Sequence, residues 1–214
     1  MTEVEWLSAT DPTPMLELLR GKASDRKLRL FACACCRRCR QMLVSETLDG
    51  LTVAERFADG LASSVERRVA REAAFHAGWC PDPSTAHRRG PAKSCVTDAL
   101  ARSAYEAATQ AERRARTARA GGVDEQPAGI HASLVRDIFP STFRPVVPDT
   151  VWFTPTVVAI STSIYADRAF DRLPILADAL EEAGCVNADL LLHCRQPGEH
   201  VRGCWAVDMV LGKA

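Results

Sequence analysis

The chain has 214 residues, 47% hydrophobic and 25% charged, and its 27 basic and 27 acidic side chains give a formal net charge of zero. A chain of this length and make-up is globular and can bury a sizeable core, as one domain or two small ones. The composition excludes an overall basic field that would draw in nucleic acid, and no apolar run approaches the ~20 residues that a membrane helix needs.

The start, MTEVEWLSATDP, has neither the basic nor the apolar region of a signal peptide. Nine cysteines in such a chain point to free thiols in a reducing cytoplasm, not to a disulfide framework. Taken in order, Thr2 to Leu7 reads as a short helix with Thr2 and Glu5 as a capping box. After the Asp11-Pro12 turn, Thr13 and Pro14 supply an N-cap and first helical position. Met15, Leu16, Leu18 and Leu19 give that helix its apolar face, and Gly21 stops it. Ser24 then caps a central helix expected over 25–43, in which Leu28, Phe31, Ala32, Cys35, Cys39 and Met42 form one apolar face. Leu30, Cys33, Ala34 and Cys36 carry apolar character almost round the circumference, so this helix is expected to be buried on most sides. The expected cover is the C-terminal segments. Arg37, Arg38 and Arg40 suit the negative end of the helix dipole.

Leu51 to Asp59 reads as the next helix. Ser63 and Glu66 form a second capping box, opening a helix striped by Val65, Val69 and Ala73. Residues 78–96, rich in proline and glycine, read as a loop. From Ala99 to Ala120, alanines 101, 104, 108, 111, 115 and 118 alternate three and four apart. Alanine is the best helix former, and such a seam lets a second helix approach closely, by default one of the same chain. Residues 121–130 read as a linker and a sub-boundary. A short helix around Leu134 to Ile138 and an extended FRPVVPDT stretch follow. Thr154-Pro155 then opens a helix faced by Val157, Ile160 and Ile164. Leu173, Leu176, Ala177 and Leu180 stripe another, stopped by Gly184. Asn187 caps a short helix, and Cys204, Val207 and Leu211 mark the last one.

Three groups of residues offer metal-ligand chemistry. On the central helix Cys33 with Cys36, Cys36 with Cys39, or Cys35 with Cys39 share a face and would supply two of the four ligands of a structural zinc. The bland alternative is that these thiols are packed as small hydrophobes. His76, Cys80, His87 and Cys95 form a second set without a recognised zinc spacing; His76 falls on or beside its helix's apolar face, where a hydrogen-bonded core histidine is the commoner reading. The C-terminal set, Cys185, His193, Cys194, His200 and Cys204, is the best metal candidate, with Cys185, Cys194, His200 and Cys204 as the expected ligands and Cys36 as a further option. A cysteine nucleophile with a histidine base is the catalytic alternative.

Three stretches carry a resemblance: EWLSATDPTPMLELLRGKASDRKLRLFACACCRR, LVRDIFPSTFRPV, and RAFDRLPILADALEEAGCVNADLLLHCRQPGEHVRGCWAVDMVLGK. Together they resemble an uncharacterised protein family expanded in planctomycete bacteria such as Gemmata. LADALEEAG is also similar to the Y-A-D-W-L-E-E-x-G phrase of a short domain from the same bacteria, with Leu176 and Ala179 at its aromatic positions. The resemblance implies a bacterial cytoplasmic protein and assigns no activity, ligand or catalytic residue.

These readings converge on an all-α, irregular multi-helix single domain with loops at 78–96 and 121–130. Residues 20–40 carry eight basic side chains against one acidic, and 166–190 carry six acidic against two basic, which suggests that the two halves dock through these regions. Phosphate-binding glycine loops, HExxH, GxSxG and paired CxxC knuckles are all missing. The leading functional expectation is therefore a non-enzymatic protein-interaction or regulatory module with a protein partner. The alternatives are a zinc-stabilised binding module and a small Cys/His-dependent enzyme.

Overall fold

Short polar side chains set the helix starts. Thr2 with Glu5, and Ser63 with Glu66, close reciprocal capping boxes, while Ser24, Thr154 and Asn187 accept from the amides of Lys27, Val157 and Leu190. Each cap satisfies a first-turn amide that has no partner within its helix. The computed structural model describes residues 1–77, 83–119 and 129–213, the side chains of 83–89 and Arg119 excepted. Among these residues there are twelve α-helices and no strand: α1 (Glu3–Ser8), α2 (Thr13–Leu19), α3 (Asp25–Arg37), α4 (Ser45–Ala58), α5 (Ser64–His76), α6 (Pro83–Ala99), α7 (Ala104–Arg119), α8 (Ile130–Ile138), α9 (Pro155–Asp167), α10 (Leu173–Glu182), α11 (Ala188–Arg195) and α12 (Trp205–Val210). The fold is all-α, as the helical periodicity predicts. The chain divides into two compact units, Met1–Ala132 and Ser133–Ala214, with the division inside α8.

In the first unit α4, α6 and α7 all pack on α3. The run from Lys27 to Cys36 is buried without interruption, and Cys33, Cys35, Cys36 and Cys39 are at most 1% exposed. Within this unit these three helices cover α3. Cys39 Sγ lies 3.7 Å from the Ala115 carbonyl and Cys95 Sγ 3.2 Å from that of Ala111. Burial, then the neighbouring Cys95, pushes the thiols of Cys35 and Cys36 well above their ordinary value. These cysteines are interior packing. The helix is shorter than the expected 25–43: the Cys39 amide bonds to the Cys36 carbonyl at 2.9 Å, and a 3-10 turn over Arg40–Met42 follows. Such i to i+3 bonds tighten a helix end instead of extending it.

Arginines satisfy the end of α6. Arg29 donates to the Ala101 and Arg102 carbonyls at 2.8 and 2.6 Å, Arg67 to the Leu100 carbonyl, and Arg71 to that of Thr97 at 3.4 Å. A helix C-terminus leaves carbonyls unpaired and concentrates partial negative charge, so guanidinium groups are well suited to it. Phe57 lies beneath two of them, with the Arg29 and Arg67 guanidinium carbons 4.9 and 5.3 Å from its ring centroid. Arg37 grips Glu55 of α4 in a two-pronged bond at 2.6 and 2.7 Å.

Several boundaries differ from expectation. Residues 83–96, read as part of a loop, belong to the helix Pro83–Ala99 despite Pro91. An interior proline costs about 3 kcal/mol. Against that stand Ala92, Cys95, Val96 and Ala99, a fully buried stripe that faces α3 and α7. Residues 78–82 and the linker at 120–128 lie outside the described residues. Helix α4 begins at Ser45, not Leu51, with Gly50 inside it. A β-carbon on Gly50 would sit 3.5 Å from each of Ala74, Leu100 and Val96, at ordinary contact distance, so this position faces α5 and the end of α6. Helix α2 begins at Thr13, capped from Asp11, whose Oδ1 accepts from the Thr13 amide and hydroxyl at 3.0 and 2.8 Å. On α5 the expected inward stripe is turned out: Ala70 and Ala74 face the core, and Val65, Val69 and Ala73 do not.

The alanine seam behaves as the spacing predicts. Ala108, Ala111, Ala115 and Ala118 are fully buried, and α7 packs most extensively on α6 and then α3. Ala101 lies before the helix, in the turn that Arg29 holds. In the second unit α10 packs on α9 and α11, and α12 on both of these, around Val157, Ile164, Leu173, Leu176, Leu180 and Leu190. No described helix is long and apolar enough to cross a membrane.

The seam leaves no room for a larger side chain. Ala111→Leu is therefore expected to lower unfolding stability by about 1–3 kcal/mol through overpacking. Urea denaturation followed by circular dichroism measures it, and an unchanged midpoint would mean that α7 is not in close contact with its neighbours.

Candidate metal centre

The second unit holds an acidic side chain where an acid is least expected. Ile130, Leu134 and Ile138 define the apolar face of α8, and Asp137 lies on or beside it, in the last turn and 3% exposed. There the helix dipole and the loss of water both disfavour a carboxylate. The compensation comes from the C-terminal residues. His200 Nδ1 lies 2.6 Å from Asp137 Oδ1, His193 Nε2 lies 3.3 Å from the same oxygen, and the Val201 amide donates to Oδ2 at 2.9 Å.

Local structure brings these groups in. Asn187 fixes the register of α11 by accepting from Leu190 at 2.9 Å, which places His193 in the last turn beside the buried Leu190 and Cys194. The chain then turns at Gly198 and Gly203, with φ of 150° and 98°, conformations that suit glycine. The Cys204 amide closes the second turn on the Val201 carbonyl at 2.9 Å. Cys204 is the residue before α12, and its sulfur lies 3.2 Å from His193 Nε2. His200 and Cys204, four apart in sequence, are brought together by this turn and not by a helix.

The donor atoms of Asp137, His193, His200 and Cys204 all lie within 4.8 Å of one another. A tetrahedral zinc with bonds of about 2.0–2.3 Å sets its ligand atoms about 3.3–3.8 Å apart, so small shifts would bring this set to that geometry. The cluster could hold a metal ion, and among the described residues it is the one group of three or more such donors this close together.

Of the four ligands expected from sequence, His200 and Cys204 belong to the cluster and Cys185 and Cys194 do not. Cys185 is buried in the core after α10. Cys194, one residue from His193 and about 100° round the helix, is not among the four donors that lie within 4.8 Å of one another. Burial, then Asp137, pushes its thiol up to about 12. Cys36 is accounted for in α3, its thiol buried beside Cys95. In the middle set His76 is exposed against Phe75, with ring centroids 5.3 Å apart, which corrects its reading as a core residue. Cys95 is buried against α7, and Cys80 and the His87 side chain lie outside the described residues. Asp137 was missed because it lies 56 positions before His193 and any carboxylate is a weak signal. What could have found it is a charge on the apolar side of a short helix.

Proton positions follow from Trp205. Its indole N–H donates to His193 Nδ1 at 3.1 Å. Indole nitrogen can only donate, so Nδ1 accepts and the proton of the neutral ring sits on Nε2, facing Asp137 and Cys204. Burial by itself would raise the Asp137 carboxyl, but the hydrogen bonds from His193 and His200 outweigh it and hold the group below its ordinary value. Burial would lower His200; its bond to Asp137 wins and raises it, with the Gln196 carbonyl acting in the same direction. His200 Nε2 is nevertheless buried without a hydrogen bond of good geometry. Burial, then Asp137, pushes the Cys204 thiol well above its ordinary value, while the Val207 and Ala206 amides oppose this. A neutral, fully buried thiol is a poor nucleophile. Comparison of the chain with protein-family models, curated proteins and solved structures finds no match.

Two outcomes test this network. Asp137→Ala strands two histidines and the Val201 amide, and is expected to cost about 3–5 kcal/mol in urea unfolding. The pH response has a definite sign. His200, raised above 6.5, contributes stability that is full below that pH and is lost as pH rises through its folded value. Asp137, lowered below 3.8, contributes stability that is full above that pH and is lost as pH falls through its folded value. In chelator, the urea midpoint is expected to fall as pH rises above about 6.5, with a smaller fall in His200→Gln.

Proposed function

We propose that this chain is a non-catalytic binding module whose residues 133–214 are held in shape by one zinc ion on Asp137, His193, His200 and Cys204. The observation that carries the reading is the convergence of four donors, three on buried residues and one on the half-buried His200, from α8, α11 and the turn before α12, within 4.8 Å. Imidazole with thiolate selects zinc over the hard cations magnesium and calcium, and a carboxylate is a common fourth zinc ligand. Four protein donors complete a tetrahedron and leave no position for substrate, the arrangement of structural sites. Zinc on these residues would displace the Cys204 thiol proton and would need both imidazoles in their other neutral tautomer, with the His193 proton moved from Nε2 to Nδ1, where Trp205 would lose its acceptor, and the His200 proton moved from Nδ1 to Nε2.

A second reading is that the same side chains form a hydrogen-bonded latch that needs no ion. It is favoured by Trp205, which places a proton on the nitrogen that would face the metal.

Metal analysis of the full chain, expressed with zinc in the medium, separates the two. About one equivalent of zinc is expected under the first reading, lost in Cys204→Ser and His193→Gln and kept in Cys185→Ser. Adding zinc to chelated protein is expected to change Trp205 emission. Less than about half an equivalent, or equal zinc in Cys185→Ser and Cys204→Ser, would leave the latch as the function of the cluster.

A further inference from the structure

Helices α4 and α5 of the first unit enclose an apolar groove of about 440 Å³ that opens to solvent. Gly50 and Ala70 lie at its base, and Val53, Val65, Val69 and Ala73 form its sides. The stripe of α5 that periodicity assigns to the core is the one that lines it: Val65 and Val69 are 57% and 56% exposed. Helix α5 meets the core through Ala70 and Ala74 instead, and Arg67 and Arg71 pin it to the end of α6. Its apolar side is thus held open on a fixed support.

The edge of the groove is acidic. Glu46 and Asp49 flank it from α4 and Glu66 from α5. Glu66 is engaged, accepting from the Ser63 amide at 2.8 Å and lying 3.6 Å from Arg56. Glu46 accepts from its own backbone amide and, at 2.9 Å, from the Ser45 hydroxyl, and neither it nor Asp49 has an ion pair among the described residues. We infer that this groove binds a short amphipathic helix of another protein, with aliphatic residues three and four apart and a lysine or arginine beside them to meet Glu46 and Asp49. The run from Val65 to Ala73 spans about 12 Å, so the ligand helix needs about three turns.

Charge selects this occupant. A second copy docked groove to groove would set carboxylates against carboxylates, and an anionic membrane surface would meet the same acidic edge. The groove belongs to the first unit, and the inference stands with or without zinc in the second.

The test is a selection of displayed peptides of about 16 residues on the immobilised full chain, followed by fluorescence anisotropy of an enriched peptide. Enrichment of helices with an aliphatic stripe flanked by lysine or arginine is expected. Affinity should weaken at least about tenfold in Val65→Ser/Val69→Ser. It should also weaken several-fold in Glu46→Gln/Asp49→Asn, which leaves the apolar walls intact, and as salt rises from about 50 to about 300 mM. All four side chains are exposed or partly so, and both double variants are expected to keep the wild-type unfolding midpoint. The inference is overturned by enrichment of acidic or uncharged sequences, by no enrichment, or by affinity unchanged in both variants. Self-association abolished by the valine substitutions, seen in sedimentation, would assign the groove to a second copy. Loss of binding to phosphatidylcholine–phosphatidylglycerol vesicles in that variant would assign it to a membrane. Either result also overturns the inference.

Discussion

Asp137 carries its carboxylate in the last turn of a helix and away from water, and the C-terminal part of the chain supplies what offsets that placement. A buried charge of this kind survives only with close donors, and here they are two imidazoles and the Val201 amide. The turns at Gly198 and Gly203, the cap at Asn187 and the start of α12 can each be understood as bringing those donors to it. The sulfur of Cys204 arrives at the same point, so a network that stabilises the fold is also a set of donors that could hold a metal ion. One carboxylate thereby links packing to chemistry.

The first unit solves a different problem. Helix α3 is buried on nearly all sides, and a helix so placed needs neighbours that come close. The alanines of α7 permit that approach. Arginines from α3 and α5 take up the carbonyls at the end of α6, so a helix with an interior proline is anchored at its C-terminal end. With α5 held through its alanines and arginines, its valines remain on the outside. Stability and an open apolar groove come from the same arrangement.

Half of the candidate site was legible in the sequence. Cysteine and histidine at the C-terminus stand out by residue type, which is why His200 and Cys204 were found and His193 was among the five residues of that set. Cys185 and Cys194 share that residue type and were indistinguishable from ligands until the direction of each side chain was known. Asp137 comes from another helix, and only the folded chain sets it beside His193. The loop reading of 83–96 failed for a related reason: proline and glycine were counted, and the burial of Cys95 and Val96 was not visible.

What the sequence determined by itself is local. Period and caps settled the all-α class, the starts of most helices, the packed character of the central cysteines and the alanine seam, because each depends on residues within a turn or two of one another. Only the tertiary structure decided which face of α5 is covered, which cysteines and histidines converge, and where the His193 proton sits. These depend on atoms brought together from distant positions, where neither spacing nor composition carries a signal.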